Sequence, residues 1–267
     1  MGLDDLTLRL FEAIAEGDKK EVERLIKRGA KVNAKLPDNG ISPLHAAIIL
    51  AKANVGLCQE YMVKEYEKIA DVLLKNGAKP LSFDKDGLST FHYAVVTPGI
   101  LRLLLNYYNG SVDIYDKKER YETPLCRAVK VLRQSKMSQN ECVYKNVLKS
   151  IKLLLDRGAN PNDSCIGMEM IYLLIRFPKT FERLFKTLKR YGFDINSIKT
   201  SLGTPMLDVY KSGIRILFSH LQKDAELDVY NEKLSRFINI VYLLNKHGID
   251  VGMYIRAYNV KKSKTNQ

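Results

Sequence analysis

The sequence predicts an all-α solenoid of about six helix-turn-helix units, long and short units alternating, joined by short β-turn fingers. Two recurring patterns predict it. The first is an ending: Gly29, Gly77, Gly110, Gly158, Gly192 and Gly248 each follow an apolar run, and glycine readily takes the left-handed conformation that closes a helix. Val22/Leu25/Ile26, Ile69/Val72/Leu73, Ile151/Leu154/Leu155 and Ile240/Val241/Leu244 put those apolar residues on one helical face. The second is a beginning: Ser42-Pro43-Leu44-His45-Ala46-Ala47, Thr123-Pro124-Leu125-Cys126-Arg127-Ala128, Thr204-Pro205-Met206 and a weaker Ser89-Thr90-Phe91-His92-Tyr93-Ala94. A hydroxyl side chain caps the free N–H groups of a first turn, and proline suits the first helical position because its missing N–H would have had no partner there.

These beginnings and endings resemble the ankyrin repeat, which starts T-P-L-H-x-A, ends its second helix on glycine and has a period of about 33 residues. The resemblance spans nearly all of the chain and implies an ankyrin repeat domain over residues 3–250, in units of about 3–37, 38–84, 85–117, 118–163, 164–198 and 199–250. In the first unit, Leu8, Leu10, Phe11, Ala13 and Ile14 make a first helix, Gly17-Asp18 a turn, and residues 22–28 a second helix. Its many charges suit a terminal cap facing solvent. The second unit is expanded: Ser42 to Gly77 spans 35 positions, against 21 from Ser89 to Gly110 in the third. The fourth repeats the excess, with 35 from Thr123 to Gly158; the fifth is near normal, and the sixth spans 44 from Thr204 to Gly248. The extra residues fall at 50–66, 131–146 and 214–231, between the two helices of a unit. They predict three helical hairpins projecting from the edge opposite the fingers, either padding one another or forming a second binding surface. Residues 251–267 are a basic tail with little to bury, expected to be disordered.

Length and composition narrow the function classes. No stretch of the 267 residues approaches the roughly 18 to 20 apolar residues that a membrane span needs, and Met1-Gly2-Leu3-Asp4-Asp5 does not start a secretory leader. Cys58, Cys126, Cys142 and Cys165 include no C-x-x-C pair and no histidine at zinc-finger spacing. They are expected to be reduced thiols of a monomeric cytoplasmic protein that holds no metal and no cofactor. The net charge of +13 attracts acidic proteins, nucleic acid or anionic surfaces, unless it is only the solvated outer face of helices.

No enzyme is expected: G-x-G-x-x-G, P-loop, H-E-x-x-H and G-x-S-x-G motifs are absent from the sequence. His45 and His92 hold the signature position, where the family uses the ring to bond neighbouring loops. Cys126 replaces it in the fourth unit. The resemblance implies a protein-binding module whose partner lies on finger tips and exposed positions of each first helix. On this sequence those positions are Phe83, Lys85, Tyr93, Tyr115, Lys118, Arg120, Tyr121, Arg127 and Lys130, and Tyr and Arg among them are common interface hot spots. Asn33 and Asn162 match a position that stabilises the turn into the finger and is hydroxylated in some hosts. The mixture of signature-rich and eroded units looks like the ankyrin proteins that intracellular bacteria or large DNA viruses use against host proteins, in which case host cytosol or nucleus is the expected location. The alternative is an array that binds nucleic acid through residues 176–190, where Arg176, Lys179, Arg183, Lys186, Lys189 and Arg190 oppose a single Glu182.

Overall fold

Ten helices make up the described residues, which in this computed structural model are 3–116, 122–194, Tyr242, Lys246 and Gly248. They run α1 (Asp5–Glu16), α2 (Lys19–Lys27), α3 (Pro43–Gly56), α4 (Glu60–Lys75), α5 (Thr90–Ala94), α6 (Pro98–Tyr107), α7 (Pro124–Met137), α8 (Glu141–Asp156), α9 (Ser164–Arg176) and α10 (Pro178–Arg190). The fold is all-α: no strand occurs among these residues, and the β structure is one isolated antiparallel bridge, Phe83 to Ser89. The chain divides into two compact units, 1–160 and 161–267.

In the first unit, first helices stack on first helices and second helices on second helices: α1 on α3, α3 on α5, α5 on α7, and likewise α2 on α4, α4 on α6, α6 on α8. The starts behave as their chemistry requires. Ser42 Oγ accepts from His45 N at 3.3 Å, Thr123 Oγ1 accepts from Cys126 N at 3.2 Å, and Pro43 and Pro124 sit in the first turn. Between the two layers lies a continuous core in which Leu10, Ile14, Leu25, Leu44, Ile48, Ile69, Leu73, Phe91, Ile100 and Leu101 are fully buried. Burying each such side chain contributes about 1.5–3 kcal/mol. In the second unit α9 packs on α10, burying Leu173, Leu174, Phe181, Leu184, Phe185 and Leu188.

The turn asparagines lock each unit to the next. Asn33 donates to the Gly77 carbonyl at 2.8 Å and accepts from Lys79 N at 2.8 Å. Asn162 repeats this with Gly192 O (3.0 Å) and Asp194 N (2.8 Å) inside the second unit.

Gly29, Gly77, Gly158, Gly192 and Gly248 have the expected positive φ, but Gly110 does not, and α6 stops three residues before it. The reason lies in the neighbouring repeat. Arg157 donates to the carbonyls of Leu105 (3.3 Å) and Tyr108 (2.7 Å), so a guanidinium closes this helix where glycine closes the others. Tyr108 turns extended and packs on Phe91, with ring centroids 5.3 Å apart.

Lengthened helices account for the first two inserts. α3 and α7 have 14 residues against 5 in α5, and α4 and α8 have 16 against 10 in α6. At a rise of 1.5 Å per residue, α4 and α8 outreach α6 by about 9 Å. They do not stand free as separate projections, because α3 touches α8 above the short unit. There Cys58 is joined to Cys142 by a disulfide with Cα atoms 5.7 Å apart. No cysteine is free, which overturns the expectation of reduced thiols at Cys58, Cys126, Cys142 and Cys165. Cys58 and Cys142 are 84 apart in sequence, and only the alternation of long and short units brings them together. The third insert, the sixth unit and the tail lie outside the described residues, apart from Tyr242, Lys246 and Gly248.

Candidate partner-binding surface

Finger and first-helix positions meet in the first unit. The finger after α2 closes through Leu36 N to Ile41 O and Gly40 N to Leu36 O, both 2.9 Å. The next finger closes through Asp84 N to Leu88 O (3.0 Å) and leans on the first through Lys85 N to Asn39 O (2.9 Å). Gly40 makes that approach possible: its φ is +72°, and a Cβ there would lie 2.8 Å from Lys85 N. Lys35 Nζ donates to the Phe83 carbonyl at 2.6 Å. Phe83 is therefore held in place, half-buried, while Lys85 is exposed at the tip.

Three successive units place different residues at one register. Four positions after the caps Ser42, Ser89 and Thr123 stand Ala46, Tyr93 and Arg127. Tyr93 donates its hydroxyl to Asp84 Oδ2 at 2.6 Å and meets the edge of His45 at a centroid distance of 5.7 Å. Burial first and the Asp84 carboxylate second push its phenol pKa up, so it stays a neutral donor. Arg127 Nη1 lies 3.0 Å and Lys130 Nζ 3.4 Å from the Glu122 carboxylate, which is 3 % exposed. One buried carboxylate thus serves two cations.

Behind the tyrosine the signature histidines do structural work. Ser89 N and Ser89 Oγ contact His92 Nδ1 at 3.1 and 2.7 Å, and His92 Nε2 pairs with the Glu122 carbonyl at 2.8 Å. That bond ties the third unit to the loop of the fourth. Burial holds the His92 pKa below its ordinary value. His45 repeats the cap with Ser42, but its fully buried Nε2 makes no hydrogen bond of normal geometry, and burial lowers its pKa to about 4. Both rings are neutral at pH 7.

Of the expected site residues, the structure brings together Tyr93, Arg127 and Lys130, with Phe83 and Lys85 on the adjoining finger. Tyr115 is half exposed on the finger after α6. Lys118, Arg120 and Tyr121 lie outside the described residues. Asp84, a finger position, orients Tyr93, and two neighbours went unrecognised in the sequence: Glu122, which holds Arg127, and Lys52. Lys52 is half-buried on α3, and its pKa is depressed, chiefly by burial and then by repulsion from Arg127. It lies in the insert 50–66, which was expected to be helical but was not assigned to the finger and first-helix surface. Arg127 and Lys130 share the Glu122 carboxylate, Lys52 lies near Arg127, and the Asp84 and Asp86 carboxylates lie near Tyr93.

No helix among the described residues is long and apolar enough to cross a membrane. No curated protein matches the chain. Residues 10–59, which include most of α1, all of α2 and α3 and the first finger, match the family described as ankyrin repeats (many copies), and it is to that family that this part of the chain is similar.

Proposed function

We propose that the chain is a non-enzymatic protein-binding module whose partner docks on the finger and first-helix surface around Tyr93, Arg127 and Lys130. Ankyrin repeats generally mediate protein–protein interaction, and the matched residues supply that coarse role. The observation that carries the finer reading is the half-buried Lys52 ammonium, which is repelled by Arg127 while the Glu122 carboxylate is engaged by Arg127 and Lys130. A half-buried ammonium repelled by a guanidinium is relieved by an incoming anion, so the partner presents Asp or Glu side chains there. Tyr93 and Phe83 supply aromatic contact at little entropic cost. A role against host proteins, as suggested by the mixture of regular and eroded units, is part of the same proposal.

The test is capture from lysate by the whole chain and by a Lys85→Glu/Tyr115→Ala/Lys130→Gln variant, which spares the Arg127–Glu122 pair. Loss of capture with an unchanged melting curve supports the surface; full capture by the variant removes it.

Nucleic acid is the second reading, and α10 favours it. Glu182 is occupied by Lys186 at 3.0 Å and Lys246 at 2.9 Å, so it does not neutralise Lys179, Arg183, Lys189 or Arg190. Those side chains would contact phosphates without sequence preference, giving an affinity that falls steeply with salt. Absence of binding to single- or double-stranded probes at about 0.15 M salt disposes of this reading.

A further inference from the structure

The two long helical pairs of the first unit meet at their tips. The turn between α3 and α4 and the turn between α7 and α8 have the same design: the chain passes through one left-handed residue, Cys58 (φ 57°) in one and Gln139 (φ 55°) in the other. Asn140 Oδ1 accepts from Val143 N at 3.0 Å to cap α8, and its Nδ2 donates to Gly56 O at 2.9 Å on the opposite tip. The Cys58–Cys142 disulfide completes this link. Beneath it opens a cleft of about 470 Å³, walled by Val55 and Val63 and floored by Pro98 and Gly99 at the start of the short helix α6. Its lining carries Lys64, Arg102, Lys145 and Lys149 with the carboxylates Glu60, 3.6 Å from Lys64, and Glu67, and both cysteines line it.

We propose that Cys58–Cys142 is a reversible redox site, a clasp between the two overhanging hairpins that a dithiol reductant opens without unfolding the stack. This goes beyond the docking surface, which uses neither cysteine.

Three features point the same way. The first is access: Cys58 is exposed, Cys142 is half-buried, and the cleft leaves both sulfurs approachable. A disulfide that only staples a core is usually sealed from such attack.

The second is independence. α3 with α4 bury Ile48, Ala51, Val55, Val63 and Tyr66, and α7 with α8 bury Val129, Leu132, Tyr144 and Val147. Each pair therefore has its own apolar contact, and the bond ties two already folded elements together.

The third is charge. Four cations against the two carboxylates Glu60 and Glu67 leave the cleft lining with an excess of positive charge, which favours a departing thiolate, and a better leaving group is displaced faster.

The chemistry balances with a dithiol as the named reductant. One thiolate of the reductant attacks Cys58 Sγ, forming a mixed disulfide and releasing Cys142 as a thiolate. The second thiol of the reductant then displaces Cys58. The cystine takes up two electrons and two protons, and the dithiol becomes a disulfide. What changes in the protein is the restraint on residues 50–66 and 131–146. Val55 and Val63, covered under the clasp, become free to exchange with solvent beside Leu57, Tyr61 and Met137, which are already exposed.

The experiment equilibrates the whole chain with defined ratios of oxidised and reduced dithiothreitol, traps thiols by alkylation, and maps peptides by mass. Hydrogen exchange is followed in parallel. In the oxidised chain a Cys58–Cys142 peptide is expected. On reduction, exchange across residues 50–66 and 131–146 is expected to rise at least tenfold, with helix content unchanged and residues 5–27 as protected as before. A Cys58→Ser/Cys142→Ser variant should show the reduced pattern even in oxidant, which separates this bond from any effect at Cys126 or Cys165. Three results overturn the proposal: free Cys58 and Cys142 under full oxidation, reduction that unfolds the chain, or exchange indifferent to the redox state.

Discussion

His45 is buried beside its cap with an Nε2 that makes no hydrogen bond of normal geometry, and its depressed pKa, set chiefly by burial, makes stability depend on pH. A folded-state value of about 4 against 6.5 unfolded means that the unfolded chain binds the proton first as pH falls. The stabilisation is therefore complete above about pH 6.5 and is lost progressively down to about pH 4; the loss by pH 5 is about 2 kcal/mol. Denaturant unfolding at pH 7.5 and pH 5 should show that loss, and His45→Gln should flatten it. Arg127 is a second sensitive position. Removing it leaves Glu122, 3 % exposed, with Lys130 alone at 3.4 Å. Arg127→Ala should therefore cost about 3 kcal/mol, and adding Glu122→Gln should recover part of it by removing the buried charge. Urea midpoints of the single and double variants check this. The histidine and proline signatures were legible from residue types alone, because a cap is a local event. Glu122 was not, since it acquires its meaning from Arg127 and Lys130, brought in by folding.

At the scale of the element, helix starts and most helix ends could be read directly, because a capping hydroxyl and a left-handed glycine act within one turn. Gly110 shows where that fails. The carbonyls at the end of α6 are taken by Arg157, about fifty residues on, and no local pattern announces such a long-range cap. Arg157→Ala should fray the last turn of α6 and cost about 1–2 kcal/mol, visible as faster amide exchange at residues 104–108 while α4 is unaffected. The finger contact gives a parallel case. Gly40→Ala forces a left-handed alanine against the Lys85 backbone nitrogen, 2.8 Å away, and should destabilise by about 1–3 kcal/mol in thermal or urea unfolding. The lengths of the inserts were legible as intervals between caps and glycines. Their helical character was expected too, but that two of them do not stand free and join through Cys58 and Cys142 required the stack itself.

Across the whole molecule, alternation of long and short units does two things that no single repeat does. It lets the outer helical ends meet above α6, and it places Lys52 of a lengthened helix near Arg127, with the five-residue α5 between α3 and α7. The charges around Arg127 differ from the exposed ion pairs along helices, such as Lys19–Glu23, Lys68–Glu65 and Lys75–Asp71. Such exposed pairs contribute little to stability, and salt screens them. The half-buried centre is screened less and is where an acidic partner gains most. Hydrogen exchange of the chain, free and bound to the protein it captures from lysate, tests this most directly. The account predicts protection gathered on residues 83–86, 93 and 127–130; protection confined to α10, or spread only over the tips at 57–61 and 137–141, would contradict it.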